Sequence, residues 1–363
     1  GAPVVRTYSV GATSRRNVLV NNEVPNAALA MKAESANSFS AERAMYIGLD
    51  GHASHGVGAP ALAWYFAEGA TSPPYQMWLL LANFSTATAH VTLTFMKEDG
   101  STLVKSVNVG ASTRVNVFVN SFFPFPGGAV ATVVTSDVAI VAERSMYFGG
   151  SHNAPGVTSA STHWYLAEGY TGSGFQTWVL LLNPGSAAAS VTLRFMKEDG
   201  SVVTQNRTVN PHSRLNVLVN DFLPGVAFST QINSNQPIVA ERAEYFGPAG
   251  ARGGHASEAA VDPLTRWSFA EGSTQSPFTT YLLLMNPNGS AAHAVITYMR
   301  EDGVQVVQSL TLGPTSRTTI LVNQFLVNAA VSATVTSDQP IVAERAMYFH
   351  NNSGGTDSLG VGF

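Results

Sequence analysis

Four arginines stand inside apolar rows of this sequence and are its first candidates for chemistry. Each follows a glutamate in an A-E-R segment, and strict alternation places Arg144 on the same strand face as Ile140 and Met146. A buried guanidinium is destabilising unless a carboxylate and further acceptors surround it. Each arginine therefore needs a partner. The four are Arg43, Arg144, Arg242 and Arg345.

The partner expected for these arginines is the glutamate of an A-E-G segment that recurs about 75 residues earlier. A second candidate is the adjacent A-E-R glutamate, reaching around a bulge. A carboxylate with an arginine can form a ligand pocket, or it can be a structural ion pair that fixes strand register. Recurrence in every copy favours the structural pair, because a scaffold device must be repeated and a catalytic site need not be. The A-E-G glutamates are Glu68, Glu168 and Glu271.

Three tryptophans open the same segments, in W-Y-F-A-E-G, W-Y-L-A-E-G and W-S-F-A-E-G. Aromatic side chains of this kind can stack on sugars. They also lie beside long aliphatic runs, where a bulky anchor of the core or of a domain junction is expected. We favour structural anchors at Trp64, Trp164 and Trp267.

Other chemistry has little support in the sequence. His52 and His55 are three residues apart, but no acidic or cysteine ligands recur with them, and Gly-rich segments hold metals poorly. No G-x-S-x-G nucleophile motif occurs. The Glu98-Asp99 pair and its equivalents precede a glycine at a predicted hairpin tip, where a solvated turn explains them. We therefore expect a non-enzymatic protein with no catalytic residue, cofactor or metal.

The elements that position these residues form a repeat of about 100 residues. Each copy runs from the tryptophan through L-L-L-x-N, M-[KR]-E-D-G and a second arm to I-V-A-E-R-x-x-Y-F. The first 60 residues carry only the later half of this succession. We predict a half repeat with a linker at 1–60 and complete repeats at 61–160, 161–263 and 264–363.

Within a copy the apolar residues alternate, as in Val91 to Phe95 and Val115 to Val119, which is the period of half-buried strands. Asp-Gly between two such strands indicates a tight hairpin. The sequence predicts an all-β protein of tandem immunoglobulin-like antiparallel β-sandwich repeats. A β-propeller fits less well, because its blades are shorter. The segments rich in Gly, Ala, Ser and His between copies are predicted linkers, or long loops across a domain junction.

This combination of motifs resembles a family of tandem repeats of uncharacterised function in large secreted or cell-surface bacterial proteins. The resemblance covers nearly the whole chain. It implies an extracellular location and a structural or adhesive role, and it supplies no catalytic residues. The first half repeat departs from the pattern, since it lacks the A-E-G, L-L-L-x-N and E-D-G segments. Arg43 is thereby left without its expected partner.

Composition is consistent with that setting. Only 12% of the residues are charged, the formal net charge is -4 and the basic residues are scattered, so nucleic acid is not an expected partner. No apolar run approaches the roughly 20 residues of a transmembrane helix. The chain has no cysteine, so burial and strand pairing must hold the fold.

The incomplete first repeat permits two interpretations. The sequence can be a fragment of a longer chain, or a neighbouring molecule can complete the half domain by strand addition and propagate a filament. We expect a subunit of an extracellular filament, stalk or surface layer that self-associates as a homopolymer. The alternative is an array of carbohydrate-binding modules that meets a cell-surface glycan.

Overall fold

A computed structural model describes residues 3–123, 127–247 and 253–363 of the chain. These residues form antiparallel strands with only short helical turns, so the predicted all-β, repeated sandwich architecture is confirmed. The likeness to immunoglobulin domains stays a prediction. No helix among the described residues is long and apolar enough to cross a membrane.

Repeat 1 contains seven strands and a one-turn 3-10 helix at Val119–Phe122. The long strand β8 belongs to two sheets: its first half pairs with β3 and β5, and its second half pairs with β4 and β9. Strand β6 extends the first sheet and β7 the second. The strands are β3 (Ala61–Phe66), β4 (Gln76–Asn83), β5 (Ala89–Met96), β6 (Thr102–Val109), β7 (Thr113–Phe118), β8 (Ala131–Tyr147) and β9 (Ser151–Pro155).

Repeats 2 and 3 repeat this topology, with 3-10 turns at Val219–Asp221 and Val322–Gln324. Repeat 2 contains β10 (Ser161–Leu166), β11 (Phe175–Asn183), β12 (Ala189–Lys197), β13 (Val202–Val209), β14 (Ser213–Leu218), β15 (Phe228–Phe246) and β16 (Gly253–Glu258). Repeat 3 contains β17 (Leu264–Phe269), β18 (Thr279–Asn286), β19 (Ala292–Met299), β20 (Gln305–Leu312), β21 (Ser316–Leu321), β22 (Ser332–Phe349), β23 (Gly354–Leu359) and β24 (Val361–Gly362).

The predicted hairpins lie where Asp-Gly occurs. Gly100, Gly200 and Gly303 have φ values of 79°, 79° and 81°, a left-handed conformation that a tight turn needs and glycine adopts without strain. Each hairpin joins two antiparallel strands, such as β5 and β6. The turn chemistry therefore sets the register of the outer pair of strands in every repeat.

Each repeat has its own apolar core, and a predicted tryptophan lies in each. Trp64, Trp164 and Trp267 are buried among the aliphatic residues of the two sheets. The indole N–H groups donate to the carbonyl oxygens of Ile140, Ile238 and Ile341, each at 2.8 Å. The indoles are thus unavailable for stacking on a ligand at the surface.

The first 60 residues, called here the partial repeat, form much less regular structure. Residues 3–41 contain a short helix, α1 (Val20–Glu23), and no described strand. The hairpin of β1 (Glu42–Ile47) and β2 (Asp50–His55) follows. By sequence, residues 4–10 and 14–19 correspond to β6 and β7 of repeat 1. They lack strand pairing because the described partial repeat has no equivalent of β3, β4 or β5.

The predicted linkers are not simple linkers. They form β2, β9 and β16, and the C-terminal tail forms the equivalent β23; residues 248–252 of the third predicted linker lie outside the described residues. These four strands contact each other in cyclic order, β2 to β9, β9 to β16, β16 to β23 and β23 back to β2. The partial repeat and three complete repeats therefore close a ring around a central bundle of strands.

Small residues permit this bundle. A Cβ on Gly254 of repeat 2 would lie 2.8 Å from the ring of Phe148 in repeat 1, and a Cβ on Gly355 would lie 2.6 Å from Phe246. Contacts that close exclude larger side chains. We predicted linkers from the Gly and Ser content of these segments. In the structure, that content allows the backbone to pack closely against aromatic rings.

Candidate functional site

The repeated ionisable residues converge on the junctions between neighbouring repeats. Two sets of arginines meet there. The inner arginines are the predicted Arg43, Arg144, Arg242 and Arg345, and the outer arginines, from the second arm of each repeat, are Arg15, Arg114, Arg214 and Arg317.

The inner arginines pair with a different glutamate from the predicted one. Arg144 of repeat 1 forms an ion pair with Glu241, the A-E-R glutamate of repeat 2. The same relation joins repeats 2 and 3 through Arg242 and Glu344 at 2.5 Å. It joins repeat 3 to the partial repeat through Arg345 and Glu42, also at 2.5 Å, and the partial repeat to repeat 1 through Arg43 and Glu143 at 2.7 Å.

The A-E-G glutamates contribute a backbone oxygen to the inner arginines. The carbonyl oxygens of Glu68, Glu168 and Glu271 accept from Arg144, Arg242 and Arg345 at 3.2, 3.2 and 2.8 Å. The prediction that the A-E-G glutamate side chain pairs with the inner arginine was wrong. It relied on strand alternation, which shows only which residues share a face within one repeat. The inner arginines instead reach across to the next repeat.

The A-E-G carboxylates serve the outer arginines, which the sequence interpretation left without a role. Glu168 lies 3.0 Å from Arg317 of repeat 3, and Glu271 lies 3.2 Å from Arg15. Glu68 is farther from Arg214, at 3.6 Å. The signal that could have found this pairing is the recurrence of one arginine at the same place in every copy of the second arm.

Backbone groups complete each junction. Arg214 donates to the carbonyl oxygens of Gly69 and Val130 in repeat 1, at 2.6 and 2.8 Å. Arg317 and Arg15 make the same two contacts in repeats 2 and 3. The backbone N–H of Ala67 donates to Glu241 at 2.7 Å, so the glutamate holds both a side chain and the backbone of repeat 1.

Burial explains why so many acceptors are needed. Arg144 and Glu241 are buried, and a buried charge left alone would be strongly destabilising. Burial by itself would lower the pKa of Arg144, but the nearby carboxylates of Glu241 and Glu68 outweigh it and raise the pKa. The guanidinium therefore stays charged, and the pair acts as a fixed link between two repeats.

Aromatic and histidine side chains pack beside these links. His152 Nε2 of repeat 1 lies 3.3 Å from the hydroxyl of Tyr245 in repeat 2, and His255 lies 3.0 Å from Tyr348. Burial lowers the pKa of both histidines well below the usual value. They are neutral at neutral pH and act as packed hydrogen-bonding groups.

At the centre of the ring, the described residues of all four central strands pack against one another and leave no space large enough for a water molecule. His55 Nδ1 and Glu258 Oε1 lie 3.3 Å apart there. Burial raises the pKa of Glu258 to about 8 and lowers the pKa of His55, so both side chains are mainly neutral at neutral pH. Among the described residues, no cluster of three or more His, Cys, Asp or Glu side chains has the arrangement of a metal site.

What this arrangement can do is hold repeats together. Donors and acceptors face each other across the junctions, and the A-E-R pairs that form them recur at all four. The junction of the partial repeat with repeat 1 differs from the others because its ion pair is partly exposed. The side chains of Arg43 and Glu143 are 26% and 22% exposed, whereas those of the other three pairs are 1% exposed or less.

No family model and no curated protein matches this chain. Solved structures give low similarity. A crystal structure of Thermotoga maritima 1070 aligns with a TM-score of 0.27 and 16% identity, over 28% of this chain and 94% of that one. The Anabaena sensory rhodopsin transducer aligns with a TM-score of 0.21 and 29% identity, over 23% of this chain and 95% of that one.

A third structure, a tetra-tandem repeat in the extending region of a large adhesion protein, aligns over 88% of this chain and 79% of that one. Its TM-score is 0.13 and its identity 10%.

Proposed function

We propose that the protein is a non-catalytic structural repeat protein of the cell surface or extracellular space. Its ring of repeats would serve as a rigid unit of a stalk, layer or filament. The observation that carries the proposal is the recurrent junction: one set of arginine–glutamate pairs, buried at three of the four junctions, links each repeat to the next and closes the ring. Buried ion pairs with shared backbone acceptors suit a unit that must keep one arrangement.

Assembly into a homopolymer is part of this proposal, with the partial repeat as the joint. The C-terminal strands are engaged within their own repeat, since β23 pairs with β22 and β24 pairs with β17. Three of the four places in the ring are also complete. Head-to-tail growth by strand addition would therefore use the incomplete fourth place, where the described partial repeat has no equivalents of β3 to β5.

Electron microscopy tests this proposal at two levels. Immunogold labelling of the producing cells should place the protein outside the cytoplasm, and the purified protein should form ring-shaped particles joined into linear or layered arrays. Cytoplasmic label would contradict the proposed location. Specific binding to a glycan array by isolated rings would favour the carbohydrate-binding alternative, although its aromatic candidates Trp64, Trp164 and Trp267 are buried.

A further inference from the structure

The outer arginine of repeat 1 has an incomplete set of acceptors. Arg114 donates to the carbonyl oxygen of Leu29 at 2.5 Å. Leu29 precedes Glu42 by thirteen residues, as Val130 precedes Glu143, so this contact matches the one that Arg214 makes with Val130. Among the described residues, Arg114 meets no counterpart of the Gly69 carbonyl or of the Glu68 carboxylate.

The inner pair at the same junction is incomplete in the same way. Glu143 accepts from Arg43, but no described backbone N–H takes the place that Ala67 has at Glu241. Nor does a described carbonyl accept from Arg43 as that of Glu68 accepts from Arg144. All the missing groups belong to one stretch of the repeat, the A-E-G segment.

Apolar side chains of the partial repeat are exposed although their counterparts lie in the core of repeat 1. Val10 corresponds to Val109, and their exposed fractions are 58% and 0%. Met45 corresponds to Met146, with 41% and 0%. The open face thus has the apolar surface of a repeat core as well as the charges of a repeat junction, and it continues an interface that is complete at the other three junctions.

We propose that this face binds a polypeptide segment with the sequence pattern of the repeat's own first half, from W-x-[FL]-A-E-G to E-D. The glutamate of the bound segment pairs with Arg114, its backbone carbonyls accept from Arg114 and Arg43, and its backbone N–H donates to Glu143. Its apolar residues cover Val10 and Met45. The inference rests on the proposed assembly role, and it defines which sequence the joint accepts.

A binding experiment tests the charge pairing. The probe is a labelled synthetic polypeptide with the sequence of residues 161–199, titrated into the full chain with detection by fluorescence anisotropy. We expect saturable binding, weakened at least tenfold by Glu168→Ala in the probe or by Arg114→Ala in the chain. The two changes together should weaken it no further than Arg114→Ala alone, because that change already removes the partner of the glutamate. Arg300→Ala, at an exposed pair in repeat 3, is the matched control and should bind normally.

A tethered variant tests the same contact if the free probe is poorly soluble or binds too weakly to detect. Residues 161–199 are copied ahead of Gly1, and hydrogen exchange is measured with and without Glu→Ala in the copied A-E-G segment. Slowed exchange across residues 4–20 and β1 is expected only with the glutamate present. Unchanged exchange, together with no binding of the free probe, would overturn the inference.

Sedimentation of the unmodified chain shows whether a second copy already covers the face. Dimerisation that Arg114→Ala abolishes, together with no binding of the free probe, would mean that a second copy covers the face with a surface other than the first half of a repeat. That result overturns this inference but leaves the proposed structural role standing. If the probe binds but microscopy finds the protein in the cytoplasm, this inference is supported and the proposed extracellular role is contradicted. The two proposals can therefore fail separately.

Discussion

Arg214 and Arg114 occupy the same position in neighbouring copies of the repeat, yet their surroundings differ. Arg214 is buried against two carbonyl groups and near a carboxylate of repeat 1, whereas Arg114 is only partly buried and has one carbonyl acceptor. The strands around them differ in the same way: β6 and β7 are paired, but residues 4–20 have no described strand. Matching sequence is not enough to form a strand, because unpaired backbone groups remain in water until partner strands are present.

The largest expected effect comes from breaking a complete junction. Arg144→Ala should destabilise the junction of repeats 1 and 2 by about 3 to 5 kcal/mol, because it leaves Glu241 buried and unpaired. Arg43→Ala at the open junction should cost less than about 1 kcal/mol, since that pair is partly solvated. Hydrogen exchange of amides in β8 and β1 measures the two local free energies.

Equal losses at the two positions would contradict this comparison. They would mean that solvent screening does not distinguish the open junction from the closed ones. Arg300→Ala provides the baseline for removing an exposed arginine pair and should change neither free energy.

The buried acids at the centre predict a fall in stability as the pH rises above 7. The buried histidines act in the opposite direction, but only up to about pH 7, because their lowered pKa makes the unfolded chain bind more protons than the folded one in that range. The pKa of Glu258 is about 8 in the folded protein and near 4.5 when unfolded, so the folded state holds the proton more strongly. The stabilisation is complete at low pH and is lost as pH rises towards and through 8. One such group contributes at most about 1.4 kcal/mol per pH unit. Its total effect between pH 7 and 9 is also about 1.4 kcal/mol, because the slope disappears once the carboxyl is ionised above pH 8.

Urea denaturation at pH 7, 8 and 9 measures this slope. Glu258→Gln should flatten it in part, because Glu244, whose pKa is also about 8, titrates in the same range and direction. Glu34→Gln, at an exposed position of the partial repeat, should leave the slope unchanged. A wild-type stability that rises between pH 7 and 9 would show that these carboxyls are ionised in the folded ring.

One core position that occurs in both repeat 1 and the partial repeat should show a smaller difference in stability loss. Val109→Ala should destabilise repeat 1 by about 2 kcal/mol through lost burial and the cavity left behind. Val10→Ala should change stability by less than about 0.5 kcal/mol, because Val10 is already exposed. Urea denaturation compares the two, and a loss at Val10 as large as at Val109 would mean that the open face is covered in solution.

Sequence alternation, Asp-Gly turns and the recurring tryptophans were sufficient to predict the all-β repeats, because strand period and turn chemistry are local properties. The partner of Arg144 was not predictable in this way. Its carboxylate belongs to a residue 97 positions later in the next repeat, and no pattern within one repeat specifies that contact.

Ring closure was missed for a related reason. The Gly- and Ser-rich segments were interpreted as linkers because small residues are typical of loops. In the folded chain Gly254 and Gly355 instead admit the rings of Phe148 and Phe246. Only the packing of four such segments distinguishes a central bundle from a row of linkers.

The outer rim of a junction should contribute least. Thr319 of repeat 3 donates to Glu198 of repeat 2 at 2.5 Å in an exposed position. Thr319→Val keeps the branched shape and removes the hydroxyl, so we expect a loss below about 1 kcal/mol, because water can replace an exposed hydrogen bond. Urea denaturation of Thr319→Val and of Arg242→Ala compares the contributions of the rim and of the buried centre of the same junction to stability. A loss as large as that of Arg242→Ala would mean that the rim, rather than the buried arginine links, keeps the ring closed.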